Sequence, residues 1–332
     1  MTMRCGTVGV IIGMLILAGG LGRPAPSLGA RGAAESTPSY RVFLPLILRS
    51  PAVTAPPLEW LPRLNAYRAV AGLPPVVENP DWRDGCEKHA RYMVKNDAIT
   101  HAEDPRNPWY TPEGDACGRN ANIMVSSSAT ASDAYAIDVW MQAPFHAVGM
   151  LDPRLLRVGY GAYREADGGW QMGAALDVLR GWEGIPEGIA FPIRWPGEGT
   201  TTFLRAFQVG EYPDPLAHCG YTAPAGLPIL MLFGTGSFTP SITAHQLLRD
   251  GTPVRHCVFD ETTYTHPDSA QQFLGRAILD SRDAVVILPQ DPLSPGSRYT
   301  VSITVNGRSY TWSFFVAAGA SATAIVPEAQ VR

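Results

Sequence analysis

His101, His146 and Arg119 are the side chains of this sequence best placed to do chemistry. His146 stands two residues after Pro144, just past a tryptophan-centred helix, so backbone geometry sets it at a helix start. His101 lies upstream, near the head of a long polar loop. Imidazoles in such places move protons or hold a divalent metal such as zinc, and a catalytic zinc takes three protein ligands plus an open position. Two histidines alone hold zinc weakly, and a guanidinium at Arg119 repels it. The metal set read here is His101 and His146, with Glu113, Asp115 or Glu103 on the loop as substitute carboxylates. Arg119 has two readings that stay open, a receptor for an anionic ligand or an ion pair with Glu113 or Asp115. The candidate ligand-binding set is thus His101, His146, Glu113 and Arg119. His89 reads as a packing or surface histidine. No His-Glu-x-x-His helix or Gly-x-Ser-x-Gly elbow occurs, and Gly234-Thr235-Gly236-Ser237 fits neither, so no residue is assigned a catalytic role.

Regular elements must hold these groups in place. Residues 58–70 read as a helix stopped at Gly72-Leu73-Pro74-Pro75. Asn79-Pro80-Asp81 opens a second helix, with Asn79 as cap and Trp82, Cys86, Ala90 and Met93 as its buried stripe. A loop without secondary structure is expected over 99–124, a third helix over 129–142, and a hairpin of strands 157–163 and 170–179 around Asp167-Gly168-Gly169. Beyond Gly181 the texture changes. A Pro/Gly-rich stretch gives way to strands at 229–233, 284–288, 299–305 and 310–316, the last two joined by Asn306-Gly307. With no helical period there, an all-β sandwich is expected.

The 332 residues allow two domains, and 45% hydrophobic with 17% charged residues describes ordinary globular protein. A net charge of −4, with lysine only at Lys88 and Lys95, argues against nucleic acid as a partner. Arg4, the apolar run Val8–Leu21 and the small residues Ser27–Ala30 follow the order of a secretory signal over 1–30. The run falls short of the ~20 residues that span a bilayer, so no membrane anchor is expected after cleavage. A linker follows over 31–57, interrupted by the apolar segment 40–48, which is expected to dock as a strand or to sit near the membrane. Four cysteines then remain, Cys86, Cys117, Cys219 and Cys257, an even number that reads as disulfides in an exported chain. Three pairings are open. The domain split favours Cys86–Cys117 and Cys219–Cys257, each worth about 3–4 kcal/mol by loop closure.

Leu64-Asn65-Ala66-Tyr67-Arg68, Gly72-Leu73-Pro74-Pro75, Cys86-Glu87-Lys88-His89-Ala90, His101, Gly118-Arg119-Asn120, Trp140, His146 and Val158-Gly159-Tyr160-Gly161 occur in an order that resembles the CAP superfamily. That family comprises the cysteine-rich secretory, antigen 5 and pathogenesis-related 1 proteins and bacterial secreted relatives. The resemblance covers about residues 57–181 and implies an α/β/α sandwich. It also implies a cleft of two histidines and two glutamates that binds a divalent metal in some members. His101 and His146 match the histidines. Arg119 replaces the first glutamate, and Met141-Gln142-Ala143 stands where the second is expected. Leu288-Pro289 through Val301 is similar to bacterial Ig-like modules. The expectation is an α+β chain, with a CAP domain over 58–181, a connector over 182–228, an Ig-like sandwich over 229–318 and a disordered tail over 319–332. It is expected to be secreted or cell-envelope associated. The favoured function is non-catalytic binding of a small ligand, lipid or cell-envelope glycan. The alternative is a metal-dependent extracellular hydrolase.

Overall fold

In the computed structural model, residues 59–319 and 329–332 are described. The signal, the linker and segment 40–48 read from the sequence lie outside them. Three helices begin where capping chemistry places them. Helix α1 spans Trp60–Val70. Helix α2, Pro80–Lys95, has Pro80 in its first turn, and Asn79 Oδ1 accepts the Asp81 N–H at 3.0 Å. Helix α3, Pro112–Gly118, is capped by Thr111, whose hydroxyl accepts the Gly114 N–H at 2.9 Å. It lies inside the stretch expected to be irregular, as do residues 121–124 of the strand that follows it. The loop reading fails because seven residues rich in Pro and Gly carry too little periodicity to declare a helix. Helix α4, Asp133–Gln142, is capped by Ser132, and α5 follows at Pro144–Met150.

The central sheet starts from β1 (Val77–Glu78), β2 (Ala121–Ser126), β3 (Arg157–Arg164) and β4 (Met172–Asp177). Its order is β1-β3-β4-β2, continued by the strands Ala329–Val331 and Gly210–Glu211. Strand alternation sorts the side chains into two cores. Met124, Met172, Ala174 and Leu176 pack with Leu64, Trp140 and Val148 of α1, α4 and α5. Ile123, Val125 and Ala175 face the other way, onto Cys86, Met93 and Cys117 of α2 and α3. Helix α2 rests directly on the strands, since a Cβ at Gly161 would lie 2.0 Å from Glu87 N. The result is a sheet between two helical layers.

Two buried arginines fix the end of α5. Arg68 of α1 is fully buried and donates from Nε to Pro74 O (2.9 Å) and from its Nη atoms to Met150 O (2.8 Å), Asp152 O (3.1 Å) and Leu155 O (2.9 Å). Burial lowers its pKa to about 10, and Asp152 opposes the shift, so it stays charged at neutral pH. Arg282, from the far part of the chain, lies 3.2 Å from Asp152 through Nε.

Beyond residue 182 the described residues form two larger sheets and a two-stranded one, Ala206–Phe207 with Ala225–Gly226. One larger sheet runs His256–Phe259, Ala284–Pro289, Ile229–Leu232, Ile193–Trp195, and the other Thr252–Pro253, Ile242–Arg249, Arg298–Val305, Arg308–Val316, Thr201–Thr202. The first sheet is buried on both faces. Ile229, Met231, Val285 and Ile287 join Val301, Ile303 and Trp312 in one core. Leu230, Leu232, Ala284, Val286 and Leu288 join the core of α1, α4 and α5. Double burial accounts for continuous apolar runs at 229–232 and 284–288. The hairpin turn at Asn306-Gly307 has φ of 49° and 77°, as a left-handed turn requires.

Three features differ from the sequence reading. Helix α7, Ser269–Asp280, lies between strands expected to be free of helix; Asp268 caps it by accepting the Ala270 N–H at 2.8 Å. Only Gly275 and Leu279 of α7 are buried, so its apolar stripe is thin. Residues 329–331, placed in a disordered tail, form a strand antiparallel to β2. Helix α6, Pro215–Cys219, also lies in the connector. Both expected disulfides are formed, Cys86–Cys117 joining α2 to α3 and Cys219–Cys257 joining α6 to the four-stranded sheet. No helix among the described residues is long and apolar enough to cross a membrane.

Candidate functional site

The chain kinks between α4 and α5 at Ala143, whose extended backbone (φ −100°, ψ 109°) ends one helix and precedes the other. Alanine has no side chain to cap the new helix. The orphan N–H groups of its first turn are met instead by Glu211. Glu211 Oε1 accepts from Phe145 N at 2.9 Å, His146 N at 3.2 Å and His146 Nδ1 at 2.7 Å. Its side chain is fully buried. Burial raises its pKa, opposed by the His146 ring and the two backbone N–H groups. Oε2 is buried with no partner among the described residues. Glu211 reaches this seat because the Gly210–Glu211 strand runs parallel to Ala329–Val331, which pairs with β2.

His101 is held differently. Its Nδ1 donates to Gly118 O, at the end of α3, at 2.7 Å. Burial presses its pKa down to about 4, opposed by the Gly118 carbonyl and reinforced by nearby His146 and His89. His101 and His146 line one cleft of about 300 Å³ together with Arg119, Arg282 and Arg332. Phe145, Val178, Leu179, Leu274 and Ile278 form its apolar walls. Arg119 is exposed and its Nε donates to Asp115 Oδ2 at 2.7 Å; this hydrogen bond and the attraction of Asp115 raise its pKa. Arg282 is buried. Its Nη1 donates to Ser281 Oγ at 2.6 Å, and burial lowers its pKa to about 10 against the pull of Asp152. Arg332 sits 4.9 Å over the Tyr212 ring.

The structure brings His101, His146 and Arg119 together and leaves Glu113 out. Glu113 points from α3 toward Lys88, 3.4 Å away, on the exposed side of the helix. Glu103 is spent on His89, 3.0 Å from Nδ1 in a fully buried pair, and on the Thr111 N–H. Asp115 holds Arg119 and the Glu103 N–H. None of the three supplies a third ligand at the two histidines. Among the described residues no three His, Cys, Asp or Glu side chains gather as a ligand set for a metal ion. Two imidazoles beside three guanidiniums are a poor donor set for a divalent cation, so no step is derived through one.

Residues 61–171 match the family model of CAP, the cysteine-rich secretory protein family. That stretch is similar to a CAP domain. No curated protein matches the chain. The CAP match contains His101, Arg119 and His146, whereas Glu211, Arg282, Leu274 and Ile278 all lie beyond it. The cleft is therefore half CAP domain and half later chain. Sequence reasoning missed Glu211, Leu274, Ile278 and Arg282 because they are 65 or more residues from His146 and carry no motif. One signal existed. A helix opened by Ala143-Pro144 has no cap of its own and requires an acceptor from elsewhere.

Proposed function

We propose that this protein is an exported binding protein whose CAP-domain cleft holds a small anionic ligand with an apolar portion, such as a lipid or an acidic fragment of a cell-envelope glycan. One observation carries the reading: apart from the Tyr212 phenol, every ionisable side chain that lines the cleft is a histidine or an arginine, and no Asp or Glu lines it. Guanidiniums recognise carboxylate and phosphate through paired N–H donors, and a partly enclosed site strengthens those bonds relative to water. Apolar walls from Phe145, Leu179, Leu274 and Ile278 favour a ligand with a hydrocarbon part. In this reading residues 58–181 are the CAP domain and 229–318 an Ig-like sandwich, which supports the cleft through α7. Two disulfides suit an exported chain.

Calorimetric titration with hexyl phosphate, hexanol and hexylammonium tests this. Hexyl phosphate is expected to bind most tightly, and Arg119→Glu to weaken it about tenfold while leaving hexanol unchanged. Equal or tighter binding of hexylammonium overturns the reading.

A further inference from the structure

We propose that the cleft cleaves a phosphodiester bearing a hydroxyl on the neighbouring carbon, by metal-independent general acid–base chemistry, with His101 as base, His146 as acid and Glu211 positioning His146. The proposal rests on the anion-binding reading above and adds turnover to it.

The two rings are tethered by the same atom to opposite kinds of partner. His101 Nδ1 faces a backbone carbonyl, Gly118 O, which only accepts, so the ring proton is on Nδ1 and Nε2 carries a lone pair. His146 Nδ1 faces the Glu211 carboxyl oxygen, which already accepts two backbone N–H groups. A carboxylate behind an imidazole orients it and stabilises its cation, whose Nε2 then carries a proton to give. Among the described residues neither Nε2 has a hydrogen-bond partner, and neither is a buried unsatisfied atom. The cleft is what remains for both. Two such nitrogens in one cleft are the parts of an acid–base pair, and the environments that separate them assign the roles.

The substrate class follows from what surrounds them. Arg119 and Arg282 supply positive charge for phosphate oxygens as the charge shifts in the transition state. The Tyr212 phenol is the one hydroxyl among the described residues that line the cleft, and no Ser, Thr or Cys lines it, so an aliphatic hydroxyl nucleophile comes from the substrate. The first half-reaction balances without any outside reagent. His101 Nε2 takes the proton of the neighbouring hydroxyl, and that oxygen forms a bond to phosphorus. The bond from phosphorus to the departing oxygen breaks, and His146 Nε2 gives that oxygen its proton. The products are a cyclic phosphodiester and an alcohol. Water then opens the ring with the two roles reversed, which restores both histidines. A cleft of about 300 Å³ suits a small polyol phosphodiester.

The test uses 2-hydroxypropyl 4-nitrophenyl phosphate with the purified protein in excess chelator. Nitrophenolate release is expected, and none from the propyl analogue that lacks the hydroxyl. His101→Ala is expected to lower kcat/KM about 10²–10⁴-fold on this substrate and on 2-hydroxypropyl methyl phosphate. Nitrophenolate leaves without help, so His146→Ala should harm the methyl ester far more than the nitrophenyl ester. Glu211→Gln should lower kcat on the methyl ester with KM unchanged, and Glu211→Asp should restore part of it, which a purely structural role would not do. Equal turnover of the hydroxyl-free analogue overturns the proposal, as does turnover only after metal is added. Both are read on the unaltered protein, so a variant that misfolds does not decide the matter. Hexyl phosphate binding without turnover removes the catalytic proposal and leaves the binding reading; loss of both removes both.

Discussion

Among the described residues two histidine–glutamate pairs are buried, and one of the two opens onto a cleft. His89 and Glu103 lie 14 residues apart, have no exposed side-chain surface, and spend both ring nitrogens, Nδ1 on Glu103 and Nε2 on Thr100 O at 2.8 Å. His146 and Glu211 lie 65 residues apart and spend one, leaving Nε2 to the cleft. The same two side chains are therefore a brace in one place and a reactive assembly in the other. What separates them is the second ring nitrogen. Gly118 stands between the two sites: its carbonyl accepts from His101, and a Cβ there would lie 2.2 Å from His89 Cε1.

The comparison can be broken most severely at the brace. His89→Ala leaves the Glu103 carboxyl buried and half-partnered, and should cost about 3–5 kcal/mol in denaturant unfolding. Binding per folded molecule is expected to survive; specific loss of ligand binding in a fully folded variant would erase the distinction. A second effect concerns pH. The folded-state pKa of His101 is pushed below its usual 6.5 to about 4, so between those values the unfolded chain binds more protons. Stability should therefore be complete above about pH 6.5 and fall as pH drops toward 4, by about 3 kcal/mol at most from this group. His101→Gln should flatten that part of the stability–pH profile; an unchanged slope would place its origin elsewhere. Next comes Glu211→Ala, which removes the cap of α5 and should cost about 1–2 kcal/mol in a thermal or urea melt, together with the cleft's affinity for hexyl phosphate. The smallest effect belongs to Arg119→Ala. Its ion pair is exposed, so stability should move by less than about 1 kcal/mol, while affinity for hexyl phosphate falls measurably.

Local chemistry in the sequence was enough to place α1, α2, α4 and the β3–β4 hairpin, because caps, stop signals and alternation are written within a few residues of one another. It also placed His101 and His146 in one cleft through the order of motifs around them. Helix α3 escaped because its seven residues sit among turn formers, and α7 because only a thin apolar stripe marks it. Glu211 escaped for a different reason. Nothing near Glu211 shows that its carboxyl will meet a helix 65 residues earlier, since that meeting depends on two strand pairings, one to residues 329–331 and one from there to β2. The loss of the expected carboxylates is legible at Arg119 and Met141-Gln142-Ala143, whereas a replacement from residue 211 leaves no local signal.

That chain of pairings also sets an order of assembly. The Gly210–Glu211 strand finds its place against Ala329–Val331, and that strand against β2. Synthesis runs from the N-terminus, and contacts so distant in sequence close late. His146 is therefore made, and its helix packed, long before its carboxylate can be seated. A polypeptide halted anywhere before residue 329 would carry both histidines and both guanidiniums of Arg119 and Arg282 with the acid side of the assembly still unfastened. The cleft is thus completed late, only once residues 329–331 have been made and have paired with β2.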